Sequence, residues 1–209
     1  MRIRLTFSKT GPMQYVGHLD LHRSWERTFR RSGLPLAYSQ GFHPQPRLNL
    51  ACALPLGFTS QCEIIDAWLE QDIPIAQIHE TVANALPPGL EVHSVEIIDL
   101  QVPALQTQVI SAVYVITFLD EIPDLDDRVQ RIISADHLPR LRHNKSYDLH
   151  SLIEGITLLP QIDGGNCAIR VQLAAREAAT GRPEELLDEL GIKFEATHVH
   201  REKLILASS

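Results

Sequence analysis

The sequence predicts an α+β protein made of two tandem ferredoxin-like domains, each running β-α-β-β-α-β. Three observations lead there. Strand-like and helix-like hydrophobic periods alternate along the chain. The same order is met twice, in residues 1–101 and again in 108–209, without a residue-level repeat. Between them, around 100–108, the chain loses its period and carries Pro103 among polar residues, as a domain boundary does.

RIRLTFSK opens the first half as a strand, with Ile3, Leu5 and Phe7 on one side and Arg2, Arg4 and Thr6 on the other. A helix is expected from Leu19 to about Arg31. Asp20 suits its positive end, Gly33 its left-handed stop, and Pro35 prevents a restart. On this helix His18, Leu21, Trp25 and Phe29 share one face, and Arg23, Arg27, Arg30 and Arg31 lie opposite. Residues 34–54 read as extended but interrupted, because Pro44 and Pro46 lack the N–H a ladder needs. CEIIDAWLE, residues 62–70, is a strand. Pro74 opens a helix with Ile75, Ile78, Val82 and Leu86 in step, and LEVHSVEIID is a strand.

In the second half ISAVYVITFL, residues 110–119, is a strand, and LDDRVQRIISA a helix with Asp124 as N-cap. Residues 140–160 read as an irregular extended pair around Tyr147 and Asp148, with Asp148 placed to accept turn N–H groups. NCAIRVQLAA is a strand, EELLDELG a helix stopped by Gly191, and Thr197 to Leu206 a last strand.

Composition narrows the classes. With 44% hydrophobic and 22% charged residues the chain reads as globular, and no apolar run approaches the ~20 residues of a membrane span. MRIRLTF is too charged for a signal peptide, so a cytoplasmic protein is expected. Cys52, Cys62 and Cys167 are widely spaced, which argues against a disulfide framework, a Cys-rich zinc site and a bound iron–sulfur cluster; no cofactor and no metal are expected. The net charge of −7 is unevenly distributed: residues 1–50 carry eight Arg and Lys against Asp20 and Glu26. Such asymmetry points to an anionic partner for a local patch.

That patch centres on residues 15–47. Its arginine stripe has two readings, a solvated face or a surface for phosphates, whose oxygens the guanidinium fork fits. Phe42 and His43, beside Arg47, suit contact with a base, although a Phe in such a loop also serves as a core plug. His18 and His22 have i,i+4 spacing, and with His43 they are the candidates for a metal or for acid–base work. No third ligand is fixed by sequence. Arg140, Arg142, His143, Lys145 and His150 form a second basic group. There is no G-x-S-x-G, P-loop or G-x-G-x-x-G.

A wider set of residues resembles one family. Arg2, Arg4, Phe7, Lys9 and Gly11 begin it; His18–Arg23, Arg30–Phe42, Pro44, Pro46, Arg47 and Leu54–Gly57 continue it; Glu63, Asp66, Ser146–Asp148 and Arg182–Glu184 follow. Together they are similar to the radical SAM-linked domain family of unknown function. That domain is the C-terminal part of cobalamin-binding radical SAM proteins or a separate neighbour to them. The chain departs from the pattern at Gly17, where the family has Ser, and at His43-Pro44-Gln45-Pro46, where it has Asn-Pro-His-Pro. The resemblance implies a radical SAM enzyme as partner. Combined with the basic helix, it leads to the expectation of a non-catalytic RNA-binding accessory module for RNA modification, with tRNA or rRNA as the RNA. Arg23, Arg27, Arg30, Arg31, Phe42, His43 and Arg47 would make the contacts. Two alternatives stand beside it: a metal-independent endoribonuclease with a histidine base, to which tandem ferredoxin-like domains are similar at fold level, and a protein-docking adaptor that never touches RNA.

Overall fold

The computed structural model describes residues 1–142, 144–160 and 166–207. It is a mixed α+β protein with antiparallel strands and, among the described residues, five α-helices. The chain divides into two compact units, Met1–Gln108 and Val109–Ser209.

In the first unit the central strand is β1 (Arg2–Lys9). Its apolar positions Ile3, Leu5 and Phe7 have no exposed surface. It pairs antiparallel with β3 (Thr59–Trp68) on one side and β4 (Leu90–Ile98) on the other, with Leu5 opposite Ile65 and Val95. A three-residue strand, β2 (Leu48–Leu50), pairs antiparallel with the outer side of β3. The order is therefore β2-β3-β1-β4. Between β1 and β2 runs α1 (His18–Ser32), and between β3 and β4 runs α2 (Ile75–Ala83).

The helix α1 forms where the apolar period predicts. Gly17 leads in with extended backbone, and Gly33 ends the helix with φ 70°, a conformation glycine adopts without steric cost. Leu21, Trp25 and Phe29 are buried, and the Trp25 ring meets Phe7 edge-on with centroids 4.7 Å apart. Gly89, with φ +92°, donates no side chain for a good reason: a Cβ there would lie 2.5 Å from the Thr10 carbonyl oxygen and 2.9 Å from Met13 Cγ.

The polar side of β1 differs from the simple alternation. Arg2, 2% exposed, donates from Nε and Nη2 to Asp66 Oδ2 at 3.0 and 2.6 Å. Arg4 donates to both oxygens of the same carboxylate at 2.8 and 3.0 Å. The remaining Arg2 donors reach the carbonyls of Val102 and Pro103, and Arg4 reaches Gln108 Oε1. This ties down the segment around α3 (Leu105–Gln108), a short helix that the sequence reading treats as irregular. Lys9 is also buried, its Nζ 3.4 Å from the carbonyls of Gln14 and Phe58. Three of the eight cations in residues 1–50 are thus structural.

The second unit repeats the layout with an insertion. Its strands are β5 (Val109–Phe118), β8 (Ile153–Leu159), β9 (Ala168–Arg176) and β11 (Thr197–Leu206), in the order β8-β9-β5-β11 and antiparallel throughout. Between β5 and β8 come α4 (Leu125–Ser134) and a separate hairpin of β6 (Pro139–Arg142) and β7 (Lys145–Asp148). A two-residue strand, β10 (Ala179–Thr180), pairs with the end of β9 and leads into α5 (Pro183–Leu190). Asp124 stands at the N-cap of α4, its carbonyl accepting from the Arg128 N–H at 3.0 Å, but it sits at φ 55° and its side chain makes no cap hydrogen bond. Among the described residues no helix is long and apolar enough to cross a membrane.

Candidate nucleic-acid interface

The residues of the arginine stripe separate by what they touch. Arg27 and Arg30 are exposed and, among the described residues, their side chains make no hydrogen bond or ion pair. Arg23 is equally outward, 66% exposed, and meets only Asp20, one turn back at 3.1 Å. An exposed pair of this kind is held weakly and exchanges readily for another anion. Arg31 does not share this freedom. Its Nη2 and Nε donate to the Ala85 carbonyl at 2.6 and 3.2 Å, where α2 ends. The cause is its position on the α1 flank that faces α2, so it closes a helix end instead of joining the stripe.

The three histidines do not converge on a ligand. His22 has both ring nitrogens engaged, Nδ1 with Glu26 Oε1 at 3.1 Å and Nε2 with the Leu48 carbonyl at 3.4 Å. This places the flank of α1 at the foot of β2. His18 is half-buried at the start of α1, and His43 is exposed on a loop.

That loop is a hairpin of residues 37–47. The Arg47 N–H donates to Ala37 O at 2.9 Å and the Ser39 N–H to Gln45 O at 2.8 Å, while the Gln45 N–H meets Ser39 Oγ at 3.0 Å. Its foot is fixed to β3: Ala37 N–H donates to Trp68 O and Trp68 N–H to Arg47 O. The expected extended segment is therefore folded back on itself, since the two prolines leave only alternate rungs available. At the tip Gly41 adopts φ 132° and Phe42 is 102% exposed. Phe42 is no core plug. Tyr38, 44% exposed, stands lower on the same hairpin. Arg47 lies over the Trp68 ring with its guanidinium carbon 4.8 Å from the ring centre. Trp68 thus orients Arg47, a role the strand pattern around it gives no sign of.

In the second unit two cations of the other basic group are already paired. Arg142 meets Glu185 at 2.6 Å and lies over the Tyr147 ring, and Arg140 meets Glu189 at 2.8 Å. His143 lies outside the described residues. Asp148 accepts the N–H groups of Leu138 and His150 and pairs with His137 Nδ1 at 3.0 Å. The His137 hydrogen bond, then the Leu138 N–H, hold its carboxyl down at about 2.

Residues 2–183 match the family described as "uncharacterized protein conserved in bacteria (DUF2344)". The chain belongs to this family. No curated protein matches it. Among solved structures it is similar to a chain of a Cbf5-Nop10-Gar1 complex, with TM-score 0.51 and 11% identity over 97% of this chain and 48% of that one. It is also similar to chains of an H/ACA RNP bound to a substrate RNA containing 2'-deoxyuridine and of the archaeal box H/ACA sRNP Nop10-Cbf5 complex. Each has TM-score 0.46 and 12% identity over 97% of this chain, covering 47% and 48% of its own. The chain spans about half the length of these solved chains, and at such identity the likeness is one of fold.

Proposed function

We propose that this DUF2344 protein is a non-catalytic RNA-binding accessory module that works with a separately encoded radical SAM enzyme in RNA modification. In this reading it consists of two ferredoxin-like domains, residues 1–101 and 108–209. Each unit runs β-α-β-β-α-β around four antiparallel strands, the second with the β6-β7 hairpin inserted, which supports that assignment. The radical SAM partner rests on the motif resemblance of the first third of the chain.

The observation that carries RNA binding is the pair Arg27 and Arg30, outward on α1 and without an intramolecular partner among the described residues. Two guanidinium groups one turn apart, with Arg23 in line, form a short cationic row suited to successive phosphates. Arg47 and His43 are further proposed contacts on the hairpin, with Arg47 held by Trp68 on the sheet face opposite α1. Arg31 supports the row only by holding α1 against the end of α2. Of the three candidate bases of the endoribonuclease reading, His18, His22 and His43, His22 has both ring nitrogens engaged.

The test is RNA binding across a salt series with labelled tRNA and rRNA fragments. Affinity should fall with salt at a slope of about 0.7–0.9 per phosphate neutralised. Changing Arg27 and Arg30 together to Ala should flatten that slope by roughly one to two and leave the fold intact. If the double variant keeps the original slope, the row serves as a solvated or protein-docking face, and the adaptor reading replaces this one.

A further inference from the structure

The hairpin of residues 37–47 differs in chemistry from α1. From Ser39 to Pro46 it carries no Asp, Glu, Lys or Arg. Its tip presents a fully exposed Phe42, with His43 next to it and Gln40 and Gln45 as neutral hydrogen-bonding groups. The nearest cation in sequence, Arg47, is stacked on Trp68 at the foot. A neutral aromatic knob gains nothing from a phosphate. A duplex presents phosphates outward and keeps its base faces stacked inside, and the deep A-form groove does not admit side chains to read it. A single strand or loop offers the missing counterpart, an unstacked base face.

We propose that this hairpin makes the protein selective for unpaired RNA, with one base stacked on Phe42; the inference rests on the RNA-binding reading above. Phe42 supplies the face, and the amides of Gln40 and Gln45 and the His43 ring lie within the same few residues to meet base edges. The stacking contact is indifferent to base identity, because every base has a π-face. Preference therefore falls on strand state before sequence.

Three labelled probes decide it: a short oligoribonucleotide without self-complementarity, its perfect duplex, and a stem-loop presenting the same sequence in the loop. The single strand and the loop should bind more tightly than the duplex. Phe42→Ala should weaken both by about five- to a hundred-fold, the range that stacking on one ring carries, and leave duplex binding unchanged. Phe42→Trp should retain the preference. With 2-aminopurine in the single strand, fluorescence should be quenched by the original protein and not by F42A. Because Phe42 touches solvent on all sides, F42A should melt as the original does. Equal losses on all three probes, or a strand preference that survives F42A, overturn the inference while leaving RNA binding in place. Absence of salt-sensitive binding to any probe removes the RNA reading itself, and this inference with it. Binding of F42-dependent character to a protein alone has the same effect.

Discussion

Arg2 meets Asp66 at 2.6 Å with both side chains withdrawn from water, 2% and 0% exposed. Arg4 uses the same carboxylate. One buried anion thus satisfies two cations, and Val102 and Pro103 carbonyls take up the remaining Arg2 donors. Removing that anion leaves two guanidinium groups uncompensated. Asp66→Ala should cost about 3–5 kcal/mol in urea unfolding, the scale for breaking a buried pair from one side. Limited proteolysis should also cut sooner near residues 99–104, which Arg2 holds. A variant with the original unfolding midpoint would show that the network carries no stability.

Gly89 is predicted to resist substitution. Its positive φ and the Thr10 oxygen 2.5 Å from any added Cβ both oppose a side chain. The Thr10 N–H also donates to Gly89 O at 2.8 Å, so the backbone has little room to retreat. Gly89→Ala should lower stability by more than about 1 kcal/mol, read from thermal melting. An unchanged melting temperature would mean that the 3-10 turn at Gly11–Tyr15 shifts freely.

Asp148 gives a pH signature. Its carboxyl is held at about 2, below the ordinary 3.8, by His137 and then by the Leu138 N–H. A depressed carboxylate stabilises the fold above its unfolded pKa and loses that contribution as pH falls through the folded value. The contribution should therefore be complete above about pH 4 and vanish near pH 2. Unfolding measured between pH 5 and 2 should show a weaker acid dependence in Asp148→Asn than in the original protein. Identical acid profiles would remove Asp148 from the linkage.

The sequence makes α1 legible because all its signals are local. Gly17 and Gly33 bracket it, and Leu21, Trp25 and Phe29 keep the helical period. The buried charge is a different matter. Alternation assigns Arg2 and Arg4 to solvent, yet both point at a residue more than sixty positions away. No periodicity within eight residues reveals such a partner. For the same reason the local charge of residues 1–50 overstates the free cations: Arg2 and Lys9 are buried, Arg4 is bound to Asp66, and Arg31 donates to Ala85. Phe42 illustrates the opposite failure. A lone aromatic in a loop suits a core plug or a contact equally well, and only the hairpin's fold-back decides between them. Arg140 and Arg142 read as surface cations until α5 brings Glu185 and Glu189 beside them.

The hairpin tip is reached through Pro44 and Pro46, whose rings fix φ before any partner arrives. Each ordinary backbone residue ordered on capture forfeits about 1–2 kcal/mol of conformational entropy. At the prolines much of that loss is absent, because the unfolded chain never held the freedom. Together with the rungs at Ser39 and Arg47, this makes the 37–47 segment preorganised. A partner that meets the Phe42 ring therefore spends little on immobilising it, and a contact as small as one aromatic face can still contribute measurably to affinity.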